Sequence, residues 1–187
     1  MKSVRLLVAA AIAAAATASS VSRDAHALGP VDLELGAKAG IGTNPSNGSL
    51  NPLGVGIGGR GGISFFGLYG GVDLMYYFGG SENVPGGSIS EHTLMYGLDL
   101  GYNFKIAILT LRPLLGIGNF TVSHSGEDGS GSASNLYLEP GLTALLSLGI
   151  LYVGADANIL VLPGISQAHG KTTETAFTLH GQVGVVF

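Results

Sequence analysis

The stretch FTLHGQVGVVF, residues 177–187, ends the chain and alternates between two kinds of residue. One parity is apolar and consists of Phe177, Leu179, Val183, Val185 and Phe187. The other parity is partly polar and consists of Thr178, His180, Gln182, Gly184 and Val186, with Gly181 the one small interruption of the apolar series. Successive side chains of a strand point to opposite faces. The stretch therefore predicts a strand with one apolar face that runs to the last residue.

The composition indicates that the rest of the chain is apolar in the same dispersed way. Charged residues make up 11% of the 187 residues, against about 25% in an ordinary soluble domain. Glycine occurs 32 times. Beyond residue 27, no apolar run reaches the roughly 18 residues that indicate a membrane-spanning helix. Apolar residues that are abundant but not contiguous favour alternating strands.

The N-terminus has the pattern of a secretory signal peptide. Lys2 and Arg5 precede an apolar run at 6–18, and Ala25-His26-Ala27 fits the small-x-small pattern of a cleavage site. The apolar run is shorter than the roughly 20 residues that a membrane anchor needs. We predict a signal peptide at 1–27 and one mature domain at 28–187, which contains no cysteine and therefore no disulfide.

Alternating segments occur eight times after the signal peptide, at about 31–41, 54–65, 67–78, 91–104, 109–120, 135–148, 151–162 and 172–187. Tight connections near 65–68, 104–107 and 147–149 alternate with long ones at about 42–53, 79–90, 121–134 and 163–171. Alternating strands of about ten residues, joined by short and long connections in turn, are typical of transmembrane β-barrels. A sheet can span lipid only when it closes. The pattern predicts an all-β, eight-stranded antiparallel up-and-down transmembrane β-barrel.

Two of these segments resemble a known family. LRPLLGIGNF (111–120) is similar to the PYxGxG strand motif of small outer-membrane barrels, and LDLGYNF (98–104) resembles the strand before it. The resemblance is to the OmpA/OmpX-type eight-stranded barrels. It implies a location in the bacterial outer membrane, with the membrane lipids and the barrel-assembly machinery as partners. It also implies that the terminal aromatic residue, Phe187, is the assembly signal.

The ionisable residues of the polar parity form the candidate site. Simple hairpin registers place Arg60 opposite Asp73, and they join four further residues in the order Asp99, Arg112, Glu139, Asp156. The same parity carries Asp32, Glu34 and Lys38, so that inward acids outnumber inward bases.

The interior of an eight-stranded barrel is just wide enough to be filled by side chains. An isolated buried charge is costly, so we expect these residues to form a paired network that plugs the lumen. Ionisable residues inside a membrane domain are also candidates for transport. A gated ion path or a proton relay is therefore the alternative interpretation.

Other motifs carry less information. Gly56, Gly58 and Gly61 match a dinucleotide-binding spacing, but the pattern lies inside a predicted strand and no helix follows it. His124, Glu127 and Asp128 offer a weak metal site in what looks mainly like a solvated loop.

The candidate nucleophiles and bases do not favour an enzyme. His124 and Ser125 are adjacent in the predicted loop, and His180 has no serine or cysteine spaced to pair with it. We expect no enzymatic activity and no cofactor. The mature chain has only five lysines and arginines against eleven acids, so a nucleic-acid partner is not expected either.

The sequence thus predicts a monomeric outer-membrane β-barrel with a side-chain-filled lumen and a structural or surface-exposed role in adhesion or interaction. The alternative is a narrow channel for ions or small solutes. A third possibility, a secreted soluble barrel with an apolar ligand inside, is disfavoured because 11% charge is too little for a soluble surface.

Overall fold

The computed structural model describes residues 31–45, 51–84, 87–126, 129–167 and 170–187. The predicted signal peptide at 1–27 lies outside the described residues. No helix in the described part of the chain is long and apolar enough to cross a membrane.

Ten antiparallel strands follow one another along the chain. They are β1 (Val31–Gly42), β2 (Gly54–Phe65), β3 (Leu68–Tyr77), β4 (Ser81–Val84), β5 (Gly87–Tyr102), β6 (Phe104–Ile106), β7 (Leu109–Gly126), β8 (Gly129–Leu148), β9 (Leu151–Gln167) and β10 (Gly170–Val186). The short strand β4 follows β3 and pairs with the same neighbour, β5. The short strand β6 likewise follows β5 and pairs with the same neighbour, β7. The ten strands therefore form eight barrel strands.

The sheet closes on itself through two pairings. β1 pairs with β10, and β5 pairs with β7. Phe187 extends the first pairing, because its N–H donates to the carbonyl of Leu33 and its carbonyl accepts from the Leu33 N–H. The predicted eight-stranded antiparallel barrel is confirmed.

The predicted faces of the strands are also confirmed. Apolar residues such as Leu35, Leu98 and Phe177 are 61%, 59% and 62% exposed on the outside. Polar residues of the other parity, such as Asp99 and His180, are buried inside the barrel. This is the reverse of a soluble barrel, and it is the arrangement that a lipid environment requires.

Three tight turns set the strand registers. The turn at Phe66–Gly67 lies where it was predicted. The other two, at Ala107–Ile108 and at Gly149–Ile150, have their centres two residues later than predicted. Ala107 has a φ of 54°, a conformation that glycine adopts far more easily than alanine. The sequence at this turn therefore does not mark its centre.

The prediction of a long loop at 121–134 is wrong. β7 continues to Gly126 and β8 begins at Gly129, so the two strands pair along almost this entire region. Much of 79–90 and of 163–171 is strand as well. β7 and β8 have 18 and 20 residues, against the roughly 9–11 that span a bilayer. One end of the barrel is therefore a projecting sheet.

Large inward side chains are accommodated by inward glycines on the same strand or on nearby strands. The ring of Tyr69 lies against Gly62 and Gly71, where an added Cβ would collide with it. The ring of Tyr152 lies in the same way against Gly36 and Gly184. These close approaches account for part of the high glycine content.

Candidate functional site

The lumen contains an ionic network that joins strands on opposite sides of the barrel. Lys38 Nζ on β1 lies 2.8 Å from Asp73 Oδ2 on β3 and 3.0 Å from Asp156 Oδ2 on β9. Arg60 on β2 binds Asp99 on β5 at 2.8 Å and Asp156 at 3.2 Å. Asp156 is 1% exposed and connects the two cations. Two bases and three acids thus bridge five strands at one height.

Arg112 forms a second ionic layer nearer the tight turns. Its Nη1 and Nη2 donate to the two carboxylate oxygens of Glu34 at 3.1 and 2.6 Å, and its Nε donates to Asn103 Oδ1 at 2.6 Å. The guanidinium lies 3.7 Å from the centre of the Tyr69 ring, a cation–π contact. Arg112 is 1% exposed, so every polar part of this side chain is engaged inside the barrel.

Neutral hydrogen bonds occupy the next layer toward the long connections. Tyr77 Oη and His180 Nε2 are 2.7 Å apart. Glu139 Oε1 accepts from Thr178 Oγ1 at 3.0 Å and from Asn158 Nδ2 at 3.3 Å. Buried acids exceed buried bases among the described residues, and Glu139 is a buried acid that accepts hydrogen bonds from two uncharged donors.

An apolar cluster fills the lumen at the end with the long connections. Its members are buried residues of several strands together with Leu53, which precedes β2: Leu53, Met75, Tyr77, Met95, Phe120, Tyr137, Leu160, Leu162 and Ala176. Leu53 is completely buried. Thr93 Oγ1 donates to the carbonyl of Pro52 at 2.8 Å and ties this segment to the barrel wall. The residues directly before β2, Pro52 and Leu53, therefore lie in the mouth of the barrel.

One predicted register pair is confirmed, because Arg60 lies directly opposite Asp73. The ionic partners nevertheless differ from the neighbours on the sheet. Asp73 binds Lys38, and Arg60 binds Asp99 and Asp156. The long side chains of Lys38 and Arg60 reach past the adjacent strands to acids on other strands of the barrel.

The other three predicted register pairs are wrong. Asp99 lies opposite Gly116 instead of Arg112. Glu139 also lies opposite Gly116 instead of Arg112. Asp156 lies opposite Thr143 instead of Glu139. The displaced turns move each pairing by four residues, an even number, so that the inward and outward faces are unchanged.

All six residues named in the predicted network are buried inside the barrel, and the residues that the hairpin registers missed are Glu34 and Lys38. The alternation of β1 predicts an inward position for both, and both supply ionic partners across the lumen. The partner of Glu34 is 78 residues away in the chain, and the nearer partner of Lys38 is 35 residues away. The parity of β1 gives their direction, but pairing between neighbouring strands gives no information about contacts across the lumen.

The remaining candidate motifs do not form a site. Gly56, Gly58 and Gly61 lie within β2. His124 is exposed on β7, whereas Glu127 and Asp128 lie outside the described residues. Among the residues that the structure describes, no group of three or more histidines and acids could hold a metal ion.

The family model described as "Outer membrane protein beta-barrel domain" matches residues 6–180. A search of curated proteins finds no match.

Solved structures with the same fold include three bacterial barrels. The N-terminal β-barrel domain of Pseudomonas aeruginosa OprF is 14% identical with a TM-score of 0.57, covering 83% of this chain and 97% of that one. Ail, the attachment invasion locus protein of Yersinia pestis, is 15% identical with a TM-score of 0.57, covering 84% and 97%. Neisserial surface protein A is 15% identical with a TM-score of 0.52, covering 84% and 97%.

Proposed function

Because the chain belongs to the outer membrane protein β-barrel domain family, we propose that it is an outer-membrane barrel with a closed, side-chain-filled lumen and a structural or surface-exposed role in adhesion or interaction. Its exposed apolar band faces the lipid, and its polar network lies inside.

The observation that carries the closed lumen is the stack of contacts across it. Arg112 with Glu34, Arg60 with Asp156, and the apolar cluster around Leu53 occupy successive heights of the barrel. An ion that crosses would have to separate two buried ionic layers and displace the apolar cluster. Each of these steps is costly, because buried pairs that lose a partner leave an uncompensated charge.

The projecting sheet supports the surface-exposed role. In barrels of this kind, short turns face the periplasm and the longer connections face outward. The paired ends of β7 and β8 then extend beyond the outer leaflet, where they are available to external partners. Ail, which shares the fold, is by its name an attachment and invasion protein, which also supports a role in surface contact.

Current measurements in planar bilayers test the closed lumen. We expect the purified mature protein to give no steady conductance above the bare bilayer. A general porin reconstituted in the same bilayers serves as the positive control. Well-resolved, steady steps from the unmutated protein would overturn the proposal in favour of a narrow channel, and the excess of interior acids predicts that such a channel would prefer cations.

A further inference from the structure

A polar pocket lies at the end of the barrel with the tight turns and is here called the turn-end pocket. Its volume is about 380 Å³, within the range of roughly 300–1,000 Å³ that is typical of small-molecule sites. Its lining includes Asp32, Ser64, Phe66, Asn103 and Lys105. The pocket therefore combines both signs of charge, neutral hydrogen-bonding groups and an aromatic ring.

The buried part of the pocket consists of hydrogen-bond donors. Ser64 and Asn103 are 4% and 8% exposed. Asn103 Oδ1 accepts from Arg112 Nε at 2.6 Å, and Asn103 Nδ2 donates to Ser64 Oγ at 2.9 Å. An amide nitrogen has a second hydrogen, and a hydroxyl that accepts one hydrogen bond can still donate another. The two side chains thus offer two donors to a ligand group that is rich in acceptors, such as a phosphate.

The rim of the pocket carries one cation and one anion. Lys105 Nζ lies 2.8 Å from Asp32 Oδ2, and the two side chains are 61% and 37% exposed. An exposed pair of this kind is held weakly. A ligand with both charges can therefore replace the one pair by two, with its anionic group at Lys105 and its cationic group at Asp32. The charges of the rim are complementary to a zwitterion.

The aromatic ring of the pocket is held in a strained and exposed position. Phe66 has a φ of 50°, a value at which a bulky residue is an outlier, and two-residue hairpin turns with this backbone favour asparagine or glycine. The ring is nevertheless 69% exposed, so burial within the barrel does not offset the strain. It contacts Phe65 at 4.5 Å between ring centres, and Phe65 is itself 50% exposed. An apolar ligand group that covers Phe66 would supply the missing contact.

The height of the pocket in the membrane follows from the residues beside the tight turns. Leu68, Ile106 and Leu148 each lie next to a different tight turn and are 63%, 60% and 59% exposed. The apolar outer surface therefore continues down to the turns. Short turns of such barrels face the periplasm, so the pocket lies at the height of the headgroups of the inner leaflet. A lipid of that leaflet has its polar group beside the pocket and its acyl chains beside Phe66.

We propose that the turn-end pocket binds a zwitterionic phospholipid of the inner leaflet, one with a phosphate and an ammonium group. The phosphate meets Lys105 and the two buried donors, the ammonium group meets Asp32, and one acyl chain covers Phe66. This inference rests on the proposed outer-membrane function and adds a lipid class and a binding site to it.

The test uses the mature protein folded in dodecyl maltoside micelles and titrated with short-chain phosphatidylethanolamine. Backbone amide shifts of residues 64–67 and 102–105 report the binding. We expect saturable shifts, and an affinity about tenfold lower for phosphatidylglycerol of the same chain length, because its headgroup has no ammonium group to pair with Asp32. Free phosphoethanolamine, which has the headgroup without the chains, should also bind more weakly.

Two variants of the rim separate its two charges. Asp32→Asn should lower the affinity for phosphatidylethanolamine about tenfold and leave the affinity for phosphatidylglycerol unchanged. Lys105→Ala should lower both affinities, because both lipids carry a phosphate. A general disturbance of the turn end would lower both affinities in both variants, so this difference is specific to the proposed contacts.

A third variant tests the aromatic ring. Phe66→Asn replaces it by the residue that this turn favours before glycine, so the hairpin should persist while phosphatidylethanolamine binds more weakly. Ile150→Asn is the matched control, because it removes a partly exposed apolar residue from another tight turn. It should bind the lipid as the unmutated protein does.

Equal affinities for the two phospholipids, or an unchanged affinity in Asp32→Asn, would overturn the inference. Equal binding of free phosphoethanolamine, or an unchanged affinity in Phe66→Asn, would also overturn it, because the acyl chain would then have no role. Heat-dependent gel mobility shows separately whether each barrel is folded, and bilayer currents test the closed lumen. A folded, silent barrel that does not bind phosphatidylethanolamine would contradict the turn-end site alone.

Discussion

At the scale of single residues, Arg112 is the central side chain of the ionic layer near the tight turns. Removing it in Arg112→Ala leaves the Glu34 carboxylate, 7% exposed, without its cation. Loss of one partner from a buried pair costs about 3–5 kcal/mol. We expect the free energy of unfolding to fall by this amount in guanidinium titrations of the detergent-solubilised barrel, followed by circular dichroism.

The matched control for this change is Lys105→Ala. Lys105 Nζ lies 2.8 Å from Asp32 Oδ2, but its side chain is 61% exposed. Exposed pairs contribute less than about 1 kcal/mol, so this variant should unfold nearly as the unmutated protein does. Adding Glu34→Gln to Arg112→Ala should recover part of the loss, because the remaining buried group is then uncharged. Equal stabilities of the two single variants would contradict the buried network.

At the scale of elements, the last strand closes the barrel and ends on the predicted assembly signal. Deletion of Phe187 removes both backbone hydrogen bonds to Leu33, and it removes the aromatic ring that the family resemblance connects with assembly. We expect less barrel in the outer membrane and unchanged export, measured by fractionation of cells that express the protein.

Phe187→Ala separates the ring from the backbone, because it keeps both hydrogen bonds to Leu33. A yield as low as that of the deletion would assign the effect to the ring. A yield near that of the unmutated protein would assign it to the strand pairing. Normal outer-membrane yield after deletion of Phe187 would contradict both roles.

The strands also show what the sequence could predict and why the rest was wrong. The faces of β1 to β10 follow from local alternation, so the inward positions of Arg60 and Glu139 were predictable. The register of β5 with β7 depends on a turn at Ala107, whose positive φ has no marker in the sequence. The contacts across the lumen depend in addition on how far the closed sheet is staggered, which no single hairpin determines.

At the scale of the whole molecule, the orientation in the membrane can be tested with single cysteines, because the chain has none of its own. Ser130 lies in the projecting sheet and Ser147 lies beside a tight turn, and both are exposed. A membrane-impermeant maleimide should label Ser130→Cys on intact cells. It should label Ser147→Cys only after the outer membrane is permeabilised. The reverse pattern would show that the projecting sheet faces the periplasm.

The closure of β1 against β10 has a consequence for the kinetics of folding. The two strands that pair are the first and last of the ten described strands, so their pairing closes the longest loop in the described chain and costs the most loop-closure entropy. Until that step, Arg112 on β7 and Glu34 on β1 are far apart, and the inner face of the open sheet has unpaired charges. The partly closed sheet is therefore a high-energy species, and chains dominated by such distant contacts fold slowly. A factor that holds these two edge strands together would therefore lower the barrier to closure of the sheet.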